Sequence, residues 1–268
     1  MTTHQLQPLP PPVDLETKAI LKKLPEAHRH LAELKGAAST IPNENILIQT
    51  LGLQEAKDSS EIENIVTTHD ELFKAQIADE NVGAPSKEVA QYAEALRVGF
   101  EAVRASRLIT IRQILEIQET LEKNDAGFRK VPGTALRNRS TGEVVYTPPQ
   151  DHARILDLMS DLESFINDPA RLDVDPLVKM ALIHYQFESI HPFYDGNGRT
   201  GRIINILYLV ANDLLNLPIL YLSRFIIQNK SGLLPFASRS PDAWCLGGMG
   251  IVYARWDSSH LPANDKPH

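Results

Sequence analysis

The chain has 268 residues, 43% of them hydrophobic, with 27 Lys and Arg against 34 Asp and Glu, a net charge of −7. That length supports one sizeable core with a smaller appended region, and the acidic balance argues against nucleic acid or an anionic membrane as the main partner. No apolar run approaches the roughly 20 residues of a membrane span, the first 13 residues lack the basic and apolar regions of a secretory leader, and a single cysteine excludes a disulfide framework, so the cytoplasm is the expected compartment.

The expected elements are almost all helical. Residues 6–13, with four prolines, form an extended leader. Helices are expected at 17–34 and 43–51, and a third opens near Ser60 with Ile62, Ile65, Val66, Leu72 and Phe73 on its apolar face. It fades before Asn81-Val-Gly-Ala-Pro85, a turn-rich stretch that closes an N-terminal helical region, 1–85. Helices come next at 86–105 and 110–124. Lys130 to Pro149 reads as a hairpin: Val144, Val145 and Tyr146 favour a strand, Ser140-Thr141-Gly142 supplies the turn, and Pro148-Pro149 ends it. In 152–167, Ile155, Leu158, Met159, Leu162, Phe165 and Ile166 make an amphipathic series. Residues 175–188 form a helix with Val178, Ala181, Leu182 and Tyr185 inward. Another begins near Gly198 or Arg199 and carries Ile203, Ile206, Leu207, Val210 and Leu214. The fold class is therefore all-α with one small β-hairpin.

The turn between those last two helices reads His191-Pro-Phe-Tyr-Asp-Gly-Asn-Gly-Arg-Thr-Gly-Arg202. Gly196, Gly198 and Gly201 permit positive φ and close backbone approach, so successive N–H groups and the positive end of the second helix can face one anion. Arg199 and Arg202, three apart on the opening turn, can reach the same phosphate chain. Asn197 supplies an amide donor. Asp195 suits Mg²⁺, which binds through one or two carboxylates plus substrate phosphates. His191 titrates near neutrality and can take a proton from an attacking hydroxyl, while Pro192 stiffens the turn and Phe193 anchors it in the core.

This segment resembles the signature of the Fic family, HPFx(D/E)GNGRxxR, at every defining position. The resemblance covers roughly residues 6–230 and implies a Fic-type helical bundle with a β-hairpin flap, its catalytic domain at 86–230. It also implies protein adenylyltransferase activity: AMP moves from MgATP to a Ser, Thr or Tyr hydroxyl of a target protein. His191 is then the general base and Asp195 the Mg²⁺ ligand. Gly196, Asn197, Gly198, Arg199, Thr200, Gly201 and Arg202 form the nucleotide-binding set, the arginines on the β- and γ-phosphates, and Asn229 lies near the adenine. The hairpin 130–149 becomes the flap on which the target segment docks by backbone pairing. Transfer of phosphate or another nucleotide, and a non-catalytic regulatory or antitoxin-like module, remain alternatives. Oligomeric state is left open, a homodimer among the options.

Ser59-Ser-Glu-Ile-Glu63-Asn64 admits two readings. Ser60 and Glu63 have the spacing of a capping box at a helix start. The segment also resembles the family's inhibitory motif, (S/T)xxxE(G/N), in which the glutamate pairs with the last arginine of the signature and occupies the place of the γ-phosphate. Glu63 and Arg202 are that pair here. Beyond residue 230 the helical periodicity ends, and both tryptophans and the only cysteine lie there. Back-translated and read one nucleotide later, 231–235 can encode Ala-Asp-Tyr-Tyr-Arg and 246–254 can encode Trp-Glu-Glu-Trp-Val-Leu-Tyr-Met-Leu, which resemble the next helices of relatives. Residues 231–268 are therefore expected to be an aberrant tail left by a frameshift.

Overall fold

The computed structural model describes residues 6, 9–12, 14–68, 70–72, 83–137 and 141–228. The Asn229 site and the tail at 231–268 lie outside the described residues. Helix α1 (Lys18–Ser39) starts at Thr17, whose side chain accepts from the Ile20 N–H, and α2 (Glu44–Ile62) starts at Asn43, which accepts from Asn45. Helix α3 (Ala84–Ser106) ends at Arg107 in the left-handed region. Helix α4 (Ile111–Glu122) opens on a reciprocal Thr110–Gln113 capping box. The hairpin pairs β1 (Leu136–Arg137) with β2 (Val144–Tyr146), antiparallel, with Leu136 opposite Tyr146 and Arg137 opposite Val144. Then come α5 (His152–Asn167), a 3₁₀ turn (Pro169–Arg171), α6 (Pro176–Ile190), α7 (Asn197–Ala211) and α8 (Leu222–Gln228).

Helix α7 is the axis of the molecule. Its side chains are buried almost without interruption from Asn197 to Val210, because α6, α3 and α4 pack around it. From Ile203 onward its side chains are apolar on nearly every side, as suits a helix inside a bundle. Close approach depends on Gly99: a Cβ there would stand 2.7 Å from Leu207 and 2.8 Å from Ile117, so only hydrogen lets α3 fit against both α7 and α4. In the proline-rich leader Leu9 is buried and its carbonyl accepts from Arg171 at 2.8 Å, and Leu15 just beyond the leader is buried as well. Among the described residues no helix is long and apolar enough to cross a membrane.

One expectation is overturned. No helix starts near Ser60: residues 44–62 form one continuous helix, Glu63 caps its C-terminal end, and Asn64 comes next at φ 67°. Ser60 and Glu63 therefore form no N-terminal capping box. Val66, expected on an apolar helical face, is exposed in a non-helical stretch, and Phe73 falls outside the described residues. The reason is the chemistry of the buried face of α2, which is Gly52, Leu53, Glu55, Ala56, Asp58, Ser59 and Ser60. Small and polar side chains give that face no hydrophobic period to detect.

Candidate active site

The loop from His191 to Gly196 joins two helix ends that point at each other. His191 is the C-cap of α6 in the left-handed region (φ 50°, ψ 59°), its N–H donating to the Phe187 carbonyl at 2.9 Å. Gly196 is the N-cap of α7 at φ 75°, a conformation glycine adopts without strain. Phe193 is fully buried against Phe128, ring centroids 5.3 Å apart, and fixes the loop to the core. The first-turn N–H groups of α7 have no carbonyl ahead of them and carry the positive end of the helix dipole. They open on a cleft of about 440 Å³ lined by Glu63, Glu88, His191, Tyr194, Asp195 and Gly198.

The structure divides the seven residues expected to hold nucleotide. Gly196, Gly198 and Arg199 line the cleft. Asn197 also reaches it, but its side chain is spent on the loop: Nδ2 donates to the Phe193 carbonyl and Oδ1 accepts from the Phe193 N–H, both at 2.9 Å. One N–H of the expected side-chain amide donor is thus committed to a staple that holds the loop. Thr200 is fully buried, and a Cβ on Gly201 would stand 2.7 Å from Glu188 Oε1. Neither is among the residues that line the cleft, and Gly201 belongs to the contact between α7 and α6. Asp195 is exposed at the rim, accepting from the Gly196 N–H at 2.7 Å.

The two arginines already hold an anion. Glu63 Oε1 is 2.7 Å from Arg202 Nη2, and Oε2 is 3.1 Å from Arg199 Nε. A Cβ on Gly198 would meet Glu63 Oε1 at 2.6 Å, so the carboxylate rests on the first turn of α7. The expected Glu63–Arg202 pair is present, and the same carboxylate also bridges to Arg199. Arg202 is locked further by Ser59, whose Oγ accepts from Nε at 2.7 Å and whose carbonyl accepts from Nη2 at 3.1 Å. Arg199 meets two more carboxylates, Glu88 at 3.3 Å and Glu122 at 2.9 Å. Burial raises the Glu122 carboxyl above its usual range, opposed by Arg199. Sequence reasoning missed Glu88 and Glu122 because each sits on a helix whose pattern reads as a solvated polar face.

Burial lowers the pKa of the His191 imidazole first, and the Arg129 guanidinium lowers it further, opposed by the Glu188 backbone and the Glu63 and Asp195 carboxylates. Behind the loop, burial pushes Glu188 up to about 7 and lowers His184 to about 4, with Arg202 adding to the latter shift. Among the described residues no three His, Cys, Asp or Glu groups converge as a metal cage. The donor set fits Mg²⁺ in one mode, with Asp195 as a single exposed carboxylate beside an anion-binding helix end, the phosphates completing the shell. The arrangement brings together an imidazole, a helix N-terminus, two guanidinium groups and a carboxylate that fills the anion place.

Residues 21–101 match the model of the Fic/DOC family N-terminal region, and residues 108–209 match that of the Fic/DOC family. A probable protein adenylyltransferase of Aquifex aeolicus is 32% identical over 170 residues, 61% of this chain and 49% of the relative. The protein adenylyltransferase fic-1 of Caenorhabditis elegans is 32% identical over 106 residues, 39% of this chain and 20% of the relative. These matches span between a fifth and about half of those relatives' lengths. Among solved structures, a Fic family protein from Desulfovibrio desulfuricans superposes with a TM-score of 0.71 at 22% identity, covering 93% of this chain and 75% of the other. A Caenorhabditis elegans Fic-1 fragment gives 0.64 at 18%, covering 89% and 72%.

Proposed function

The chain belongs to the Fic family, and from that premise we propose that it transfers AMP from MgATP to a hydroxyl side chain of a target protein, with Glu63 as its own inhibitor. The observation that carries this is the carboxylate of Glu63 lying on the first turn of α7 between Arg199 and Arg202, within reach of the cleft that holds His191. A site built to hold a carboxylate there with a helix end and two guanidinium groups is built to hold phosphate. The domain organisation that goes with this reading has α2, in the N-terminal region, delivering the inhibitor to a catalytic part that begins near α3.

In the reaction so read, the phosphate chain lies along the start of α7, its terminal phosphates on Arg199 and Arg202 once Glu63 has left. Asp195 and the phosphates would hold Mg²⁺, which supplies charge neutralisation for the departing pyrophosphate. The target oxygen forms its bond to the α-phosphorus as the bond to the bridging oxygen breaks. Pyrophosphate leaves, and the hydroxyl proton passes to the neutral ring of His191. The strands β1 and β2 offer free backbone edges beside the loop for a target segment, which selects for an extended chain more than for side chains. The proposed compartment is the cytoplasm.

Labelled ATP tests the reading. Protein should take up α-label and no γ-label. His191→Ala should lower the rate about 100-fold or more while MgATP still binds, since the anion site is untouched. Incorporation of γ-label would instead make the chain a phosphotransferase, and labelling that survives His191→Ala would remove the imidazole from the chemistry.

A further inference from the structure

Arg129, the residue before the hairpin, is fully buried, and among the described residues no carboxylate pairs with it. A buried cation without a counter-charge is costly and survives only where other groups satisfy it. Here backbone carbonyls satisfy Nε and Nη2, while the buried Nη1 has no hydrogen-bond partner among the described residues. Nε donates to the His191 carbonyl at 2.7 Å, and Nη2 donates to that of Ile190 at 3.3 Å and to that of Pro149. The first two belong to the end of α6, where carbonyls lack helical partners and the dipole is negative. The third closes the far side of the hairpin. One guanidinium thus grips the backbone of the base and the base of the flap together.

Its neighbours extend the grip into a continuous strap. The Phe128 ring packs on Phe193, the Arg129 N–H donates to the Pro192 carbonyl at 2.8 Å, and the Arg129 carbonyl accepts from His152 Nδ1 at 2.9 Å. The Lys130 and Val131 N–H groups donate to the Tyr194 hydroxyl at 2.8 and 3.1 Å. Residues 128–131 therefore bind 190–194 almost residue for residue. His191 is held at φ 50°, a conformation a non-glycine residue keeps only when its surroundings impose it.

We propose that Arg129 is a positioning residue for His191, setting the orientation of the base and of the target-docking hairpin through one side chain. This rests on the transferase reading above. Its consequence is that base and acceptor hydroxyl are aligned by the same contact, so losing it harms the chemical step and spares the nucleotide site, which Arg129 does not touch.

The test uses the full chain carrying Glu63→Gly, with Arg129→Met added. The expected result is a fall in kcat for α-label transfer of about tenfold to 100-fold, with the Kd for MgATP changed less than about threefold. Equal losses in both, or an unchanged kcat, would overturn the proposal. Hydrogen exchange gives a readout that needs no turnover: amides in 130–137 and 191–196 should speed up together by about tenfold while those of α4 stay unchanged. If Glu63→Gly takes up no label yet exchange rises in both segments, the transferase reading fails and the positioning role stands; unchanged exchange at 191–196 ends the positioning role whatever the label shows. Should Arg129→Met not fold, Tyr194→Phe, at an exposed ring, removes the hydroxyl that anchors Lys130 and Val131. It should loosen the same two segments and lower kcat by a smaller factor, and no change in either measure would overturn the proposal.

Discussion

A single carboxylate, Glu63, contacts both arginines of the signature, and the consequences of removing it separate regulation from stability. Glu63→Gly frees Arg199 Nε and Arg202 Nη2 for phosphate, so automodification at saturating MgATP should rise severalfold or more. Arg202→Ala in the same chain should cancel that gain. The structure also fixes what the substitution costs. Glu63 is at a helix C-terminus, where its carboxylate caps no N–H, so the loss of about 1 kcal/mol expected for an N-terminal cap does not apply. A drop in melting temperature with labelling unchanged would assign Glu63 to structure alone. Glu88 and Glu122 still hold Arg199 in this variant, so removing Glu63 frees Arg202 more completely than Arg199.

At the scale of elements, the inhibition proposed for Glu63 depends on how α2 is moored. Glu55 accepts from the Ser223 N–H at 3.0 Å and from its hydroxyl at 2.5 Å, and the Tyr221 hydroxyl donates to Asp58 at 2.5 Å. These bonds tie the inner face of α2 to the start of α8, roughly one to two turns before Glu63. Tyr221→Phe with Ser223→Ala should cost about 2 kcal/mol for two lost hydrogen bonds and speed exchange across α2. It should also raise labelling, although neither residue lines the cleft. Faster exchange without more labelling would detach the mooring from inhibition. The sequence showed those helices whose buried face is apolar: α5 lies where its leucine and isoleucine spacing put it, and the hairpin and the signature turn fell at the expected residues. It concealed α2, whose core face is serine, glycine and buried acid. Site residues that belong to a twelve-residue motif were legible together. Arg129, Glu88 and Glu122 were not, because their partners stand 62, 111 and 77 positions away and no local pattern encodes such contacts.

Across the whole molecule, burial gives the protein an uncommon response to pH. Glu55 and Glu188 are pushed up to about 7 from 4.5, both chiefly by burial. Each is neutral in both states below pH 4.5, and as pH rises toward 7 only the unfolded chain ionises. Stability is therefore lost across that window, by about 3 kcal/mol per group. His184, lowered to about 4, works the other way, losing stability as pH falls from 6.5 toward 4. For these three groups the two carboxylates outweigh the imidazole between pH 4.5 and 6.5, and net stability falls as pH rises. Glu188→Gln keeps the shape and cannot ionise, so it should stabilise the fold at about pH 8 and change little at about pH 4. Denaturant unfolding at both values checks this, and an equal effect at each would show that Glu188 is not held neutral.

The location of Glu63 at the very end of α2 has one more implication. Terminal turns of helices open and close far faster than a helix unfolds, on the order of nanoseconds per residue. On the proposed reading, the inhibitory carboxylate leaves its anion site whenever that last turn frays, with the rest of α2 still in place. The resting enzyme is then leaky by construction. Its background labelling reports the fraction of time one turn spends undone, and a partner that merely captured the frayed residues 61–66 would switch it on without having to pull a helix out of the core.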